Sequence, residues 1–176
     1  MMEDLSLHVL DIVENAVAAG ATRVWIAINE NAARDILSLR VTDNGRGMSV
    51  RERARALDPF FTTGRKRTGL GLPLLAHTAE LCGGKLDIKT TRGRGTTVAA
   101  RFTLSHVDRP PLTRMSETLM TLFFGHPDTE FRYRHSRNGN VFSYLRKGQR
   151  SAATAPLEII ALRERLRSGL ARIGAA

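Results

Sequence analysis

Two hydrophobic periods run through this chain. Over residues 5–18, Leu5, Val9, Ile12, Val13 and Ala16 recur at helical spacing. His8, Asp11 and Asn15, three and four residues apart, fall on an adjoining polar face of the same predicted helix. The period then drops to two: Val24, Ile26 and Ile28 alternate with other residues as in a half-buried strand. Ile36, Leu37, Leu39 and Val41 follow, and the run breaks at Asn44-Gly45, which predicts a hairpin feeding a glycine loop. From Ser49 to Leu57 the pattern is helical again, with Ser49 as its cap. A helix through Leu74, Leu75 and Leu81 ends at "CGG", and "KLDIKTTRGRGTTVAARFTL" reads as two strands around a glycine turn.

The two prolines of "HVDRPP" mark a boundary near residue 106. Beyond it "SETLMTLFF" predicts a short helix, and "EFRYRHSRNGNVFSYL" a hairpin turning at Asn138-Gly139. The low-complexity "GQRSAATA" leads to a last helix whose Ile159, Leu162, Leu166, Leu170 and Ile173 form one stripe. That stripe packs either on the first domain or on a second copy, which leaves a homodimer open. The expected organisation is one domain over residues 1–105 and a small basic α/β extension over 106–176. Helices and strands are mixed without strict alternation, the mark of an α+β fold.

Composition narrows the class. With 176 residues, 42% of them hydrophobic, the chain can bury a core. No stretch approaches the roughly 20 apolar residues of a membrane span, and the N-terminus lacks the form of a signal peptide. A cytoplasmic protein without membrane contact is the expectation. The single cysteine, Cys82, has no partner for a disulfide and reads as a small packing residue. The net charge of +10 is unevenly spread: residues 1–105 hold 15 Lys/Arg against 11 Asp/Glu, residues 106–176 hold 12 against 6. Such an excess suits an anionic partner.

Candidate chemistry lies in four polar or glycine-rich blocks, each at the end of a regular element: "DIVENA", "DNGRGM", "DPFFTTGRKRTGLGL" and "GRGTTV". Neither a "GxxxxGK[ST]" phosphate loop nor a "GxGxxG" after the first strand is present. Singly, each block is ordinary turn chemistry. As an ordered set over about residues 5–104, they resemble the ATP-binding domains of the gyrase, Hsp90, histidine kinase and MutL superfamily. The third and fourth blocks look most like bacterial histidine kinases; "DIVENAVAAGA" is closer to the mismatch-repair branch.

The resemblance implies a two-layer α/β sandwich, with helices on one face of a mixed sheet, that binds Mg-ATP. It assigns Asn15 to magnesium, through an amide oxygen that suits a hard cation. It makes Asp11, where hydrolytic members carry glutamate, the group that orients or deprotonates the nucleophile. Asp43 then accepts a hydrogen bond from the adenine amino group, Gly45 and Gly47 let the backbone pass the base, Met48 covers it, and Thr96 supports Asp43. His8, Asp11 and Asn15 together would face the bound nucleotide. The third block implies a lid in which Gly69, Leu70, Gly71 and Leu72 offer backbone amides to phosphates at a helix start. Arg65, Lys66 and Arg67 give that lid three consecutive cations that either clamp the phosphates, Lys66 foremost, or form a solvated loop; Arg67 departs from the family's usual glycine.

Three functions compete. One is a stand-alone regulatory kinase or ATPase, without the helices that carry a phosphoacceptor histidine, acting on a separate protein as anti-sigma-factor kinases of this superfamily act on a serine. The second is an ATP-dependent switch with little or no turnover. The third is a nucleic-acid-binding module regulated by the nucleotide, against which stands the tail's lack of interleaved aromatic residues.

Overall fold

The computed structural model describes residues 4–58, 70–148 and 156–175. Helix α1 (Leu5–Ala18) is followed by the antiparallel pair β1 (Arg23–Asn31) and β2 (Ile36–Asp43), joined through a 3-10 turn at Ala32–Arg34. Helices α2 (Val50–Arg55) and α3 (Gly71–Leu81) precede a second antiparallel pair, β3 (Lys85–Thr90) and β4 (Thr96–Thr103). Helix α4 (Met115–Gly125), the hairpin of β5 (Glu130–Arg137) and β6 (Asn140–Arg146), and α5 (Pro156–Arg172) complete the chain.

Local chemistry explains several of these boundaries. Ser49 caps α2 in a reciprocal pair with Glu52, and the hydrogen bonds from Ser49 hold the Glu52 carboxyl below its usual range. Asp4 caps α1 by accepting from the Ser6 amide at 2.8 Å. Its second oxygen accepts from the amide and hydroxyl of Thr113, at 3.0 and 2.8 Å. Burial opposes the Asp4 charge, but these donors outweigh it and hold the carboxyl below its usual range. The start of α1 is thereby fastened to the segment that enters α4.

All six strands form one sheet in the order β3-β4-β2-β1-β5-β6. Every pairing is antiparallel except β1 with β5, so the sheet is mixed, as expected. Val24, Ile26 and Ile28 of β1, Leu37, Leu39 and Val41 of β2, and Phe131 and Tyr133 of β5 are buried on one face. Helices α1, α3, α4 and α5 supply the facing layer through residues such as Val9, Leu75, Leu122 and Leu166, in one continuous core. The alternate residues of the strands point to the opposite face, which carries no helix among the described residues.

The described residues after 105, 106–148 and 156–175, are built into this sheet and core. Strand β5 runs parallel to β1, from Arg23 opposite Glu130 to Glu30 opposite Arg137. Of the stripe expected on the last helix, Leu166, Leu170 and Ile173 are buried in the chain's own core, Leu162 packs against it, and Gly169 lies on the Phe142 ring of β6. A buried polar chain joins the two halves: the Tyr133 hydroxyl bonds His135 Nδ1 at 2.9 Å, and His135 Nε2 bonds Glu30 Oε1 at 2.8 Å. Burial would raise the Glu30 carboxyl, but the His135 hydrogen bond and the Arg137 charge hold it below its usual value. In α3, Leu75 is buried, whereas Leu81, the last helical residue, is 49% exposed.

Candidate functional site

The C-terminal end of α1 meets the loop after β2. Arg46 donates its amide to the Ala19 carbonyl at 2.9 Å, and a Cβ on Gly45 would sit 3.0 Å from that same oxygen. The close approach explains the glycine. Asn44 holds the other side: its carboxamide oxygen accepts from the Thr22 and Arg23 amides at 2.9 and 2.8 Å. The first and second sequence blocks are thus fastened together through backbone contacts.

Asp43 ends β2 on the helix-bearing side of the sheet, half-buried. Its Oδ1 accepts from the Gly45 amide at 2.8 Å and the Thr96 amide at 3.3 Å. No described residue bonds Oδ2. Burial pushes the carboxyl above its usual value, partly offset by those two amides. A fixed, partly desolvated carboxylate with one oxygen available can accept a hydrogen bond from a base and reject a carbonyl in the same place. A hollow of about 170 Å³ opens at this end of the sheet, bordered by Asp43, Thr90, Gly95 and Thr96 and, from the opposite face, by Thr42, Lys89 and Thr97. A larger one, about 310 Å³, lies between Arg46, Gly47, Glu52, Arg92 and Gly93.

Two glycines make this geometry feasible. Gly47 (φ +62) and Gly95 (φ +87) occupy the left-handed region, and a Cβ on either would fall onto a backbone carbonyl, that of Thr91 for Gly47 and that of Asp43 for Gly95. Thr96 supports Asp43 through its main-chain amide, while its hydroxyl lies 3.0 Å from that of Thr90. Thr90 also accepts from the Met48 amide at 2.9 Å and bonds the Gly95 carbonyl at 3.1 Å, so it pins Met48 and the hairpin tip together. Thr90, Gly95 and Asn44 were not singled out from sequence. A threonine directly before "TRGRG" was the only signal for Thr90.

On α1, Asn15 is exposed, and its carboxamide makes no hydrogen bond among the described residues. Asp11 is half-buried and stands against the first turn of α3: a Cβ on Gly71 would lie 3.2 Å from the Asp11 Cβ and 3.3 Å from its Oδ2. Leu70, the residue capping α3, provides no side-chain acceptor for the amides of the first turn, and Leu72 packs on the core. Lys66 and Gly69 lie outside the described residues. His8 departs from expectation. It is 1% exposed among Leu5, Val9 and Ile12, neither ring nitrogen has a hydrogen-bond partner, and burial lowers its pKa to about 4. The buried arc of α1 is wider than the apolar stripe alone and takes in position 8.

Polar ends of one helix, two strands and a hairpin are thus gathered at the edge of a two-layer α/β sandwich. Residues 3–106 match the family described as Histidine kinase-, DNA gyrase B-, and HSP90-like ATPase, and the chain belongs to that family. It is 38% identical over 109 residues to the sensor protein kinase FleS of Pseudomonas aeruginosa, covering 62% of this chain and 27% of FleS. It is 30% identical over 100 residues to the sensor histidine kinase ZraS of Escherichia coli O157:H7, covering 57% and 21%. The chain therefore spans about a quarter or less of these relatives. The Aquifex aeolicus MutL ATPase domain complexed with ADP has the same fold, with a TM-score of 0.57 and 18% identity over 97% of this chain and 70% of that one. The N-terminal domain of a DNA repair protein is comparable, with a TM-score of 0.58 at 16% identity, covering 96% and 59%. The sheet-and-helix similarity thus extends past residue 106, where the family match ends.

Proposed function

We propose that this protein binds Mg-ATP at the junction of α1, the 43–48 loop and the β3–β4 hairpin, and acts as a regulatory kinase or ATPase on a separate protein in the cytoplasm. The carrying observation is Asp43, whose Oδ1 is fixed by the Gly45 and Thr96 amides while Oδ2 faces no donor among the described residues. Adenine offers an amino group there; guanine offers a carbonyl and would leave the carboxylate unpaired. Met48 and Gly47 flank the base, and the first-turn amides of α3, at Gly71 and Leu72, receive phosphate oxygens.

The residues fit a magnesium ion held largely by phosphate oxygens. No group of three or more His, Cys, Asp or Glu among the described residues could cage a metal unaided, and the unbonded Asn15 carboxamide provides one neutral oxygen. The ion, when bound, supplies neutralisation of the phosphate charge. Asp11, four residues before Asn15 and beside Gly71, holds or takes the proton of the attacking hydroxyl or water.

A second reading, an ATP-operated switch with little turnover, is favoured by the engagement of Asp11, whose short side chain already packs on Gly71. One pair of measurements separates the two. Labelled ATP is incubated with the protein and a cell extract, scoring free phosphate and labelled protein bands beside affinity. Asp11→Asn is expected to retain ATP binding and lose about a hundredfold in turnover, the loss typical of a general base. Turnover of the variant at the wild-type rate would remove Asp11 from the chemistry, and a wild type that binds ATP but releases no phosphate and labels no protein would leave the switch.

A further inference from the structure

The sheet face without helices has its own chemistry. Cross-strand register sets Leu145, Arg132, Trp25, Thr42, Thr97 and Lys89 in one row. The adjacent row runs Ser143, Arg134, Ala27, Arg40, Ala99 and Asp87, and a third brings Ser38, Arg101 and Lys85 side by side. All the cations in these rows are exposed. Arg132 pairs with Glu130 at 2.8 Å, but Arg40, Arg101, Arg134, Lys85 and Lys89 have no ion-pair partner among the described residues. Asp87 and Glu130 are the only carboxylates that the described strands direct to this face. Trp25 stands near the middle, 51% exposed, and is the only tryptophan in the chain.

We propose that this face binds a single-stranded nucleic-acid segment, with phosphates on the cations and one base stacked on Trp25. The proposed ATP site lies at Asp43 on the helix-bearing side, and the two surfaces meet only at the end of the sheet, where Thr42, Lys89 and Thr97 border the hollow beside Asp43. Neighbouring strands are about 4.8 Å apart and alternate residues about 7 Å apart, so the cations form a grid, with Ala27 leaving a low floor between Arg134 and Arg40. A flexible polyanion can lie across such a grid, and an exposed indole offers any unpaired base a platform. A protein partner would need an apolar patch at the centre of its footprint. Here the other exposed apolar side chains, Val141 and Leu145, sit on the edge strand β6. More than half of the residues in these rows come from β2, β3 and β4, so the C-terminal tail is only part of the surface.

Because Trp25 is the sole tryptophan, intrinsic fluorescence reports the face directly. The test titrates the full chain with a short oligothymidylate of about 12 nucleotides, within the usual footprint of such surfaces. Expected are quenching at low salt and a loss of affinity on the order of a hundredfold between about 50 and 200 mM salt, as for about five phosphate contacts. Followed by the anisotropy of a labelled oligonucleotide, Trp25→Ala should weaken binding about fivefold to 150-fold, and Trp25→Phe should restore most of it. Arg40→Glu with Arg134→Glu should weaken it further while leaving the circular dichroism melt intact. Absent quenching, or unchanged affinity in the Arg40→Glu/Arg134→Glu protein, would overturn the proposal. Equal competition by polyglutamate would overturn it in favour of an acidic protein, and equal binding of a duplex would remove the stacked base.

Discussion

Residues 4–106 and 107–175 share one sheet and one core, yet they spend their polar residues differently. In the first region Asn15, Asp43, Asn44 and Thr96 sit at the ends of elements, where they fasten loops to one another or keep an oxygen free. In the second, Tyr133 and His135 lie in mid-strand, and their polar atoms are consumed by each other and by Glu30. Under the proposed function the element ends of the first region carry the nucleotide, while the Tyr133-His135-Glu30 chain anchors the widened sheet. Substitutions at Asp43 and Thr96 should alter ATP binding, and those within the buried Tyr133-His135-Glu30 chain should alter stability alone.

The largest expected effect is at Gly95. A Cβ there falls on the Asp43 carbonyl at a backbone angle reserved for glycine. Gly95→Val should cost about 3 kcal/mol or more in stability and abolish ATP binding. Urea denaturation with calorimetry reads both; a variant that binds normally would show that the hairpin tip is not part of the site.

Next comes His8, a first-region residue that behaves like core. Its pKa falls from 6.5 to about 4 on folding, because burial disfavours the charged ring. Below pH 6.5 the unfolded chain takes up the proton first. Stability should therefore decline as the pH falls from about 6.5 to 4, on the order of 3 kcal/mol in total. Denaturation midpoints across that range should show the slope, and His8→Leu should remove it. An identical slope in both proteins would mean the ring is not buried neutral.

Smaller again is the effect of Glu30→Ala, which leaves His135 without its acceptor. It should cost about 1 to 3 kcal/mol in the unfolding free energy while ATP affinity stays within about twofold. A marked change in affinity would erase the distinction between the two regions.

Legibility from sequence follows the same division. The element pattern was readable throughout, since hydrophobic period depends on neighbours in the chain. The parallel pairing of β5 with β1 was not: hairpins declare their partners through turn residues, whereas these strands are about 100 positions apart. Asp43, Gly45, Gly47 and Thr96 were legible as parts of an ordered motif set. Thr90 and Asn44 were hidden, because a lone threonine or asparagine at a turn looks the same whether it bonds its neighbours or a distant strand. His8 misled because its spacing to Asp11 put it on the polar face, while the arc buried by packing is set by tertiary contacts. That second sheet face was illegible because its cations come from alternate positions of four separate strands.

The central claim is that Asp43 reads adenine. Titration calorimetry of the wild-type protein and Asp43→Asn with Mg-ATP and Mg-GTP tests it most directly. The account predicts that the wild type binds ATP and discriminates against GTP, and that Asp43→Asn loses about 1 to 3 kcal/mol of ATP affinity while remaining folded. Equal affinity of wild type and variant for ATP, or equal affinity of the wild type for ATP and GTP, would contradict it.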